Sequence, residues 1–461
     1  MSLFGLLNIG TTGMRTHQYG VQVHSNNATN AATEGYSRRR AQIDPLGPET
    51  AGSRARGQER ITDPFVERRL LGARSAYGEA DARSSTLESL DYLFADVEGN
   101  LGQLLSELQT AFSDMADYPD DRAARTVVLS SLDEVVRSFN QTADELSLVR
   151  RNTNDRIVGE VDDLNAKLED IASLSTQIGR DEGISNEEAA DLRDQRDQLI
   201  REVSEIVPVK VLEEDNGSIS LLLGGSHALV SPDGSVNPLE TSEDPVTGDI
   251  RLFRTTAGAQ EDVTGLVDEG RVGGLIAARD GTLTETQTAL DQLAFDLAAA
   301  YNTAHAAGVG LDGVGGRDLF EPLVGVDGAA SLLRVSTDVA GVPDNLAAAQ
   351  AGGALPGDNR NALALLAVGD QNTALGGTAT FQEGYGAILG SVGTAARTAM
   401  NNAEQTETGM AQIEALRAEV SGVSSDEEMV SLMQFQRAYQ ASLQVIQTAD
   451  SLLAELINLR G

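Results

Sequence analysis

The chain has 461 residues, with 70 acidic against 34 basic side chains, a formal net charge of −36, and neither cysteine nor tryptophan. That charge excludes an ordinary nucleic-acid binder, because phosphate contacts need a clustered positive surface; the missing thiols exclude a disulfide framework and a thiolate metal site. No uninterrupted apolar run approaches the roughly 20 residues that span a bilayer, and a chain this long is expected to divide into two or more domains, since single cores seldom grow beyond about 250–300 residues.

The opening Met1-Ser2-Leu3-Phe4-Gly5-Leu6-Leu7 has no basic leader region and too short an apolar run for a secretory signal peptide. Leu3, Leu7, Met14 and Val21 fall on one helical face, interrupted by Gly5, Gly10, Gly13 and Gly20, each of which costs up to about 1 kcal/mol relative to alanine. Alone in water this segment is expected to be disordered and to become helical only against a partner, because short helices gain most of their stability from packing. Arg38-Arg39-Arg40 is the one basic run, in a first 60 residues that hold seven arginines against four acids. It reads as a solvated loop or as a contact to acidic neighbours in an assembly.

From Asp120 to Arg180 the apolar positions Leu132, Val136, Phe139, Ala143, Leu146, Ile157, Leu164, Leu168, Ile171 and Ile178 keep mostly to one helical face. The polar stretch Asn152 to Asp155 is the expected bend or break. Ser185 with Glu188 has the spacing of a capping box opening a further helix through Glu205, which Pro208 stops. Between Val209 and Val267 the pattern changes to short runs such as Ile219 to Leu223 and Ile250 to Phe253, separated by Asn216-Gly217, Gly224-Gly225 and Asp233-Gly234, which are turn signals of antiparallel strands. Helix resumes from about Gly274 to His305. Loops and short strands follow to Leu355, then helix near Leu363 and from Thr394 to Val420.

The last element carries the strongest pattern. Met429, Leu432, Gln436, Tyr439, Leu443, Ile446, Asp450, Leu453 and Ile457 are spaced by threes and fours, the spacing of a coiled coil. Phe435, Val445, Leu452 and Leu456 widen the stripe beyond one seam. Ser424 or Ser425 with Glu427 and Glu428 forms the capping box that starts it. The two ends are expected to pair as an antiparallel couple, and apolar stripes kept at both extremities point to a polymer component.

Catalytic and ligand readings are weak. Gly308-Val309-Gly310-Leu311-Asp312-Gly313 matches the dinucleotide fingerprint, but a helix precedes it and Gly315-Gly316 and Pro322 follow, where a strand and then a helix are required. His17 and His24 can share a helical face, yet no neighbouring histidine or cysteine completes a metal set. His227 and His305 read as structural. The acidic clusters Asp117 to Asp121 and Asp191 to Asp197 read as solvated faces without the spacing of a calcium loop. No enzyme activity, cofactor or metal is expected.

Ser25-Asn26-Asn27-Ala28-Thr29-Asn30-Ala31-Ala32-Thr33-Glu34-Gly35-Tyr36-Ser37-Arg38 resembles the N-terminal signature of bacterial flagellar rod, hook and hook-associated proteins. Phe435-Gln436-Arg437-Ala438-Tyr439-Gln440-Ala441 with Val445-Ile446-Gln447-Thr448-Ala449-Asp450 is similar to the signature at their other end. Glu34 departs from the proline usual before the Gly-Tyr pair, which leaves Gly35 to supply the turn's unusual backbone angle. In the middle, Asp191-Leu192-Arg193-Asp194-Gln195-Arg196-Asp197-Gln198-Leu199-Ile200 before Val207-Pro208-Val209 resembles a segment of the hook-associated protein 1 family. Three further stretches resemble landmarks of the same family: Gly273-Gly274-Leu275 with Arg279-Asp280; Leu290-Asp291-Gln292-Leu293-Ala294 with Tyr301-Asn302-Thr303-Ala304-His305; and Gly357-Asp358-Asn359 with Asn361-Ala362-Leu363-Ala364-Leu365.

The resemblance implies a mainly α fold with β-rich insertions, in which terminal helices pair as a coiled coil beside a long-helix bundle body. The expected divisions are 1–60 with 421–461 as the assembly domain; 61–208, 271–305 and 360–420 as the bundle; 209–270 as the β-rich insert; and 306–359 as loops and short strands. It implies a structural role at the junction of flagellar hook and filament. The alternatives are another axial protein (hook, second junction protein or flagellin-like) and a secreted adhesin. Implied partners are further copies of the chain in a ring, the hook protein, the second junction protein and filament, and an export chaperone on the C-terminal helix, with no nucleic acid and no membrane insertion. Export through the flagellar type III channel without a cleaved signal peptide is implied as well. The assembly residues expected at the front are Leu3, Leu7, Met14, Val21, Asn26, Asn27, Asn30, Gly35 and Tyr36. At the back they are Met429, Leu432, Phe435, Tyr439, Leu443, Ile446, Leu453, Leu456 and Ile457.

Overall fold

The computed structural model describes residues 2–47, 52–94, 100–185, 187–214, 217–256 and 258–458. In chain order the elements are α1 (Leu3–Thr29), β1 (Arg39–Pro45), β2 (Ser53–Arg60), α2 (Pro64–Leu93), α3 (Leu101–Asp117), α4 (Arg122–Ser185) and α5 (Ala190–Ile206). Six strands follow: β3 (Val209–Glu213), β4 (Ile219–Leu223), β5 (His227–Val230), β6 (Leu239–Glu243), β7 (Ile250–Thr256) and β8 (Ala259–Asp262). Then come α6 (Gly270–Ala278), a π-helical turn (Arg279–Leu283), α7 (Thr284–Ala306), β9 (Gly308–Val309), α8 (Ala329–Leu332), β10 (Ala349–Gln350), α9 (Arg360–Asp370), α10 (Phe381–Ser421) and α11 (Ser425–Asn458). The mainly α fold with small antiparallel sheets is the one expected. The first 60 residues are not helical throughout, because β1 and β2 form an antiparallel hairpin.

Two expectations along α4 are corrected. The helix runs unbroken for 64 residues, about 95 Å at 1.5 Å per residue. Asn152 to Asp155 does not interrupt it, because its polar groups have partners: Thr153 Oγ1 donates to Val149 O at 2.9 Å, and Asn154 Oδ1 accepts from Arg279 at 2.8 Å. The helix start expected at Ser185 is not where the next helix begins. α4 continues through Ser185, α5 begins at Ala190 without a side-chain cap, and Glu188 instead accepts from Arg60 N at 3.0 Å.

The chain forms two compact units, one of residues 80–157 and 274–403, the other of 1–79, 158–273 and 404–461. The core of the first gathers α3, α4, α7, α9 and α10, and contains Leu108, Phe112, Leu132, Phe139, Leu297 and Leu365, all fully buried. Tyr301 on α7 is its aromatic centre, stacked on Phe112 at 5.5 Å and Phe381 at 6.2 Å, with Phe320 edge-on at 6.3 Å. The next residue, Asn302, accepts from Leu319 N and Phe320 N and donates to Phe320 O at 2.7–2.9 Å. Asp291 accepts from Gly328 N and Ala330 N. The α7 landmarks are therefore clamps for the loop that follows. The Gly308 motif enters a two-residue strand paired with β10, and the next helix, α8, starts only at Ala329.

His305 belongs to the same clamp. Its Nδ1 bonds Arg317 O at 2.7 Å and its Nε2 receives Ala347 N–H at 3.0 Å, so the neutral Nδ1–H tautomer satisfies both. Burial holds this imidazole below its ordinary 6.5. Below that pH the unfolded chain binds more protons than the fold. Stability is expected to fall as pH drops from 6.5 toward the folded-state value, by at most about 1.4 kcal/mol per pH unit. Urea denaturation between pH 7.5 and 5 checks this: His305→Gln should be less stable at pH 7.5 but lose less on acidification, and an unaltered slope would refute the assignment.

In the second unit the sheets β3-β4-β5 and β6-β7-β8 are both antiparallel meanders. The Asn216-Gly217 turn falls partly outside the described residues; Gly217, Gly224, Gly225 and Gly234 all take the positive φ that such turns require. α4 holds one sheet directly, since Asn165 donates to Leu239 O and accepts from Leu239 N at 2.8 and 3.0 Å. α2 and α5 touch at Gly78, where a Cβ would stand 2.2 Å from Glu205 O.

Candidate functional site

α1 and α11 pack antiparallel, as their stripes predict, but apart from Phe435 and Ile446 through different residues. The buried face of α1 is Gly10, Gly13, Thr16, Gly20, Val23, His24 and Asn27. A Cβ on Gly10 would lie 2.6 Å from Ile446 Cγ1, on Gly13 3.0 Å from Ser442 Oγ, and on Gly20 2.4 Å from Phe435 Cδ1. The glycines that weaken the helix are thus the surface that lets α11 approach. Phe435 fills the space above Gly20 and stacks on His24, with ring centroids 5.2 Å apart. Along α11 the seam follows Glu428, Phe435, Ser442, Ile446 and Ala449. Ile446 stands in the heptad read from Met429, whereas Glu428, Phe435, Ser442 and Ala449 stand one position before it, because the bare glycine face of α1 gives room to Phe435 over Gly20 and brings Ser442 against Gly13.

The pair is pinned at one end by a buried carboxylate. Glu428, fully enclosed, accepts from His24 Nδ1 at 2.6 Å, Arg38 Nε at 2.8 Å and Asn27 Nδ2 at 2.9 Å. The expected reciprocal cap is therefore incomplete. Glu427 N reaches Ser424 Oγ at 3.5 Å, while the Glu428 carboxylate turns inward. Asn27 uses every hydrogen-bonding site of its amide, donating also to Arg39 O and accepting from Arg39 N and Tyr36 Oη. A buried amide so satisfied fixes the chain's path out of α1. Gly35 takes φ +79°, the angle expected of it. Burial pushes the Tyr36 hydroxyl up to about 12, and the Arg39 guanidinium lies 4.6 Å over its ring.

The basic run is not a solvated loop. Arg38 pairs with Glu427 and Glu428, Arg40 with Glu59, and buried Arg39 with Asp191 and Asp194 at 2.6 and 3.0 Å. Nor is Asp191 to Asp197 simply a solvated face. Asp191 and Gln195 are exposed, but Asp194, Arg196 and, beyond the cluster, Arg201 turn inward. Asp194 takes Arg39 on one side and Arg60 Nε at 3.2 Å on the other; burial raises its carboxyl, and the two arginines oppose that. Arg196 donates to Gly217 O at 2.7 Å, and Arg201 and Arg417 converge on Glu67. α5 therefore holds the β1-β2 hairpin through ion pairs. The sequence signal was the 3–4 spacing of Asp194, Asp197 and Arg201, which puts charge on the face an apolar residue would otherwise occupy.

The predicted assembly residues divide into three groups. Asn27, Gly35, Tyr36, Phe435 and Ile446 are within the intramolecular contacts just described. Leu3, Leu7, Met14, Val21, Leu432, Tyr439, Leu443 and Leu453 are half-buried flanks. Asn26 is exposed, and Asn30 is half-buried beside the Gly35 turn. Met429, Leu456 and Ile457 stand 57%, 52% and 70% exposed, and Val430, Met433 and Phe4 join them. The paired termini leave apolar surface uncovered.

Residues 87–320 match the family model described as the flagellar hook-associated protein FlgK helical domain, just over half of the sequence. The chain belongs to this family. Residues 415–459 match the model for the flagellar basal body rod FlgEFG protein C-terminal region, which places the FlgK-type body and an axial C-terminal helix on one chain. Flagellar hook-associated protein 1 of Escherichia coli (strain K12) is 25% identical over 99% of this chain and 100% of its own, and that of Bacillus subtilis (strain 168) 27% identical over 100% and 99%. The solved flagellar hook junction protein FlgK of Burkholderia pseudomallei superposes with a TM-score of 0.69 over 77% of this chain and 100% of that chain, at 15% identity, and so bears on the fold.

Proposed function

We propose that the chain is a structural subunit of the bacterial flagellum, at the junction of hook and filament, and not an enzyme. The observation that carries this reading is the FlgK helical-domain match joined on one chain to an axial C-terminal helix. Assembly proceeds through the flanks of α1 and α11 that the intramolecular seam leaves open: Leu3, Leu7, Met14 and Val21 on one helix, Met429, Leu453, Leu456 and Ile457 on the other. Partners are further copies in a ring, hook protein on one side, and second junction protein and filament on the other; an export chaperone covers α11 before assembly. The subunit leaves the cell without a cleaved signal peptide. The working divisions remain 1–60 with 421–461 for assembly; 61–208, 271–305 and 360–420 as bundle; and 209–270 and 306–359 as inserts.

Deleting the gene tests this reading. Cells should carry bare hooks and release flagellin into the medium, with filaments restored by the gene in trans. Normal filaments on the deletion strain would favour the adhesin alternative.

A further inference from the structure

The 30–36 turn, α4 and α5 enclose an open groove of about 700 Å³. Tyr36, Leu174 and Leu199 give it apolar walls, and Glu34, Asp170, Asp191 and Asp194 give it carboxylates. Its lining cation, Arg39, is committed to Asp191 and Asp194. Glu34 has only a 3.4 Å amide contact from Gln198, and exposed Asp170 has no cationic partner among the described residues. Apolar walls beneath surplus carboxylates suit an aliphatic stem that ends in a cation.

The chain supplies one from elsewhere on its surface. Its lysines are only Lys167 and Lys210, so its exposed cations are chiefly arginines. Arg437, on the side of α11 turned away from α1, is exposed and has no carboxylate partner among the described residues. One and two turns earlier on that side, Met433 and Val430 are 45% and 49% exposed. A cation beside apolar residues thus matches carboxylates beside apolar walls. The two surfaces are different patches, and a contact between unlike patches propagates around a ring where a self-complementary one stops at a dimer.

We propose that the groove of one subunit receives Arg437 of a second copy, with Met433 against the apolar wall and the guanidinium between Asp170 and Glu34. This rests on the reading that subunits assemble through their terminal helices, and it names the acceptor surface.

The chain lacks cysteine, so introduced pairs report cleanly. Full-length Asp170→Cys/Arg437→Cys, assembled on hooks and treated with a short bismaleimide, is expected to give an intersubunit ladder. Asp170→Cys with Arg15→Cys, a position exposed on α1 instead, is expected to give none. Arg437→Glu should lower incorporation onto hooks about tenfold, and adding Glu34→Arg and Asp170→Arg should restore it. Absence of the ladder, an equal ladder from the Arg15 pair, wild-type incorporation of Arg437→Glu, or failure of the charge exchange to restore incorporation would overturn the proposal. If Arg437→Glu disturbs folding, the cysteine pair still decides. A wild-type chain missing from hooks would instead count against the functional reading itself.

Discussion

Glu428→Leu is expected to destabilise the purified full-length chain by roughly 3–5 kcal/mol, the cost of removing one partner from a buried ion pair. The carboxylate is fully enclosed and receives three donors, from His24, Asn27 and Arg38. Arg38 keeps Glu427 and some solvent, so the larger loss falls on His24 and Asn27, whose buried donors would go unmet at about 1–3 kcal/mol each. Glu428→Gln retains an acceptor and should lose about half as much. Because the donors lie on α1 and in the segment that leads from it into β1, the damage should be local: urea denaturation should record the loss, and hydrogen exchange should accelerate in α1 before it does in α3 or α7. A Glu428→Leu chain within 1 kcal/mol of wild type, with α1 still protected, would mean that the seam and not the carboxylate holds the ends together.

What was legible in the sequence follows the kind of force involved. Periodicity located α4, α5, α7 and α11, and glycine pairs located the strand connections, because repeated apolar spacing and positive φ leave marks in local sequence. The antiparallel pairing of the ends was legible too. Its register was not, since the heptad from Met429 leaves out Phe435 and Ser442, whereas here Gly20 faces Phe435 and Gly13 faces Ser442, with Ile446, a member of that heptad, against Gly10. Charged residues were misread for a related reason. Asp194, Arg196 and Arg39 look like solvent-facing groups, and Glu428 like a helix cap, until their partners are known, and some of those partners lie far away in the chain: Asp194 meets Arg39 across 155 positions, and Glu428 meets His24 across 404. The short hairpin of β1 and β2, polar along most of its length, carries little of the alternation that announces a strand.

Gly20→Ala separates the two readings of the α1 glycines. In an exposed helix the change stabilises by up to about 1 kcal/mol. At Gly20 the new methyl would stand 2.4–2.8 Å from Cδ1, Cε1 and Cγ of Phe435, and that ring cannot retreat without leaving its stack on His24. The expected outcome is a net loss of about 1–3 kcal/mol, typical of overpacking, and Gly20→Leu should separate the ends altogether and prevent assembly on hooks. Gly179→Ala is the control: it lies exposed on α4 with nothing within 4 Å of the added carbon, so it should stabilise the chain. Pairing Gly20→Ala with Phe435→Ala should cost less than the two changes summed, because the small ring-free side chain gives the methyl its space. Should Gly20→Ala instead raise stability as Gly179→Ala does, the glycines would be only weak points in a helix, and the close seam between the termini would have to be abandoned.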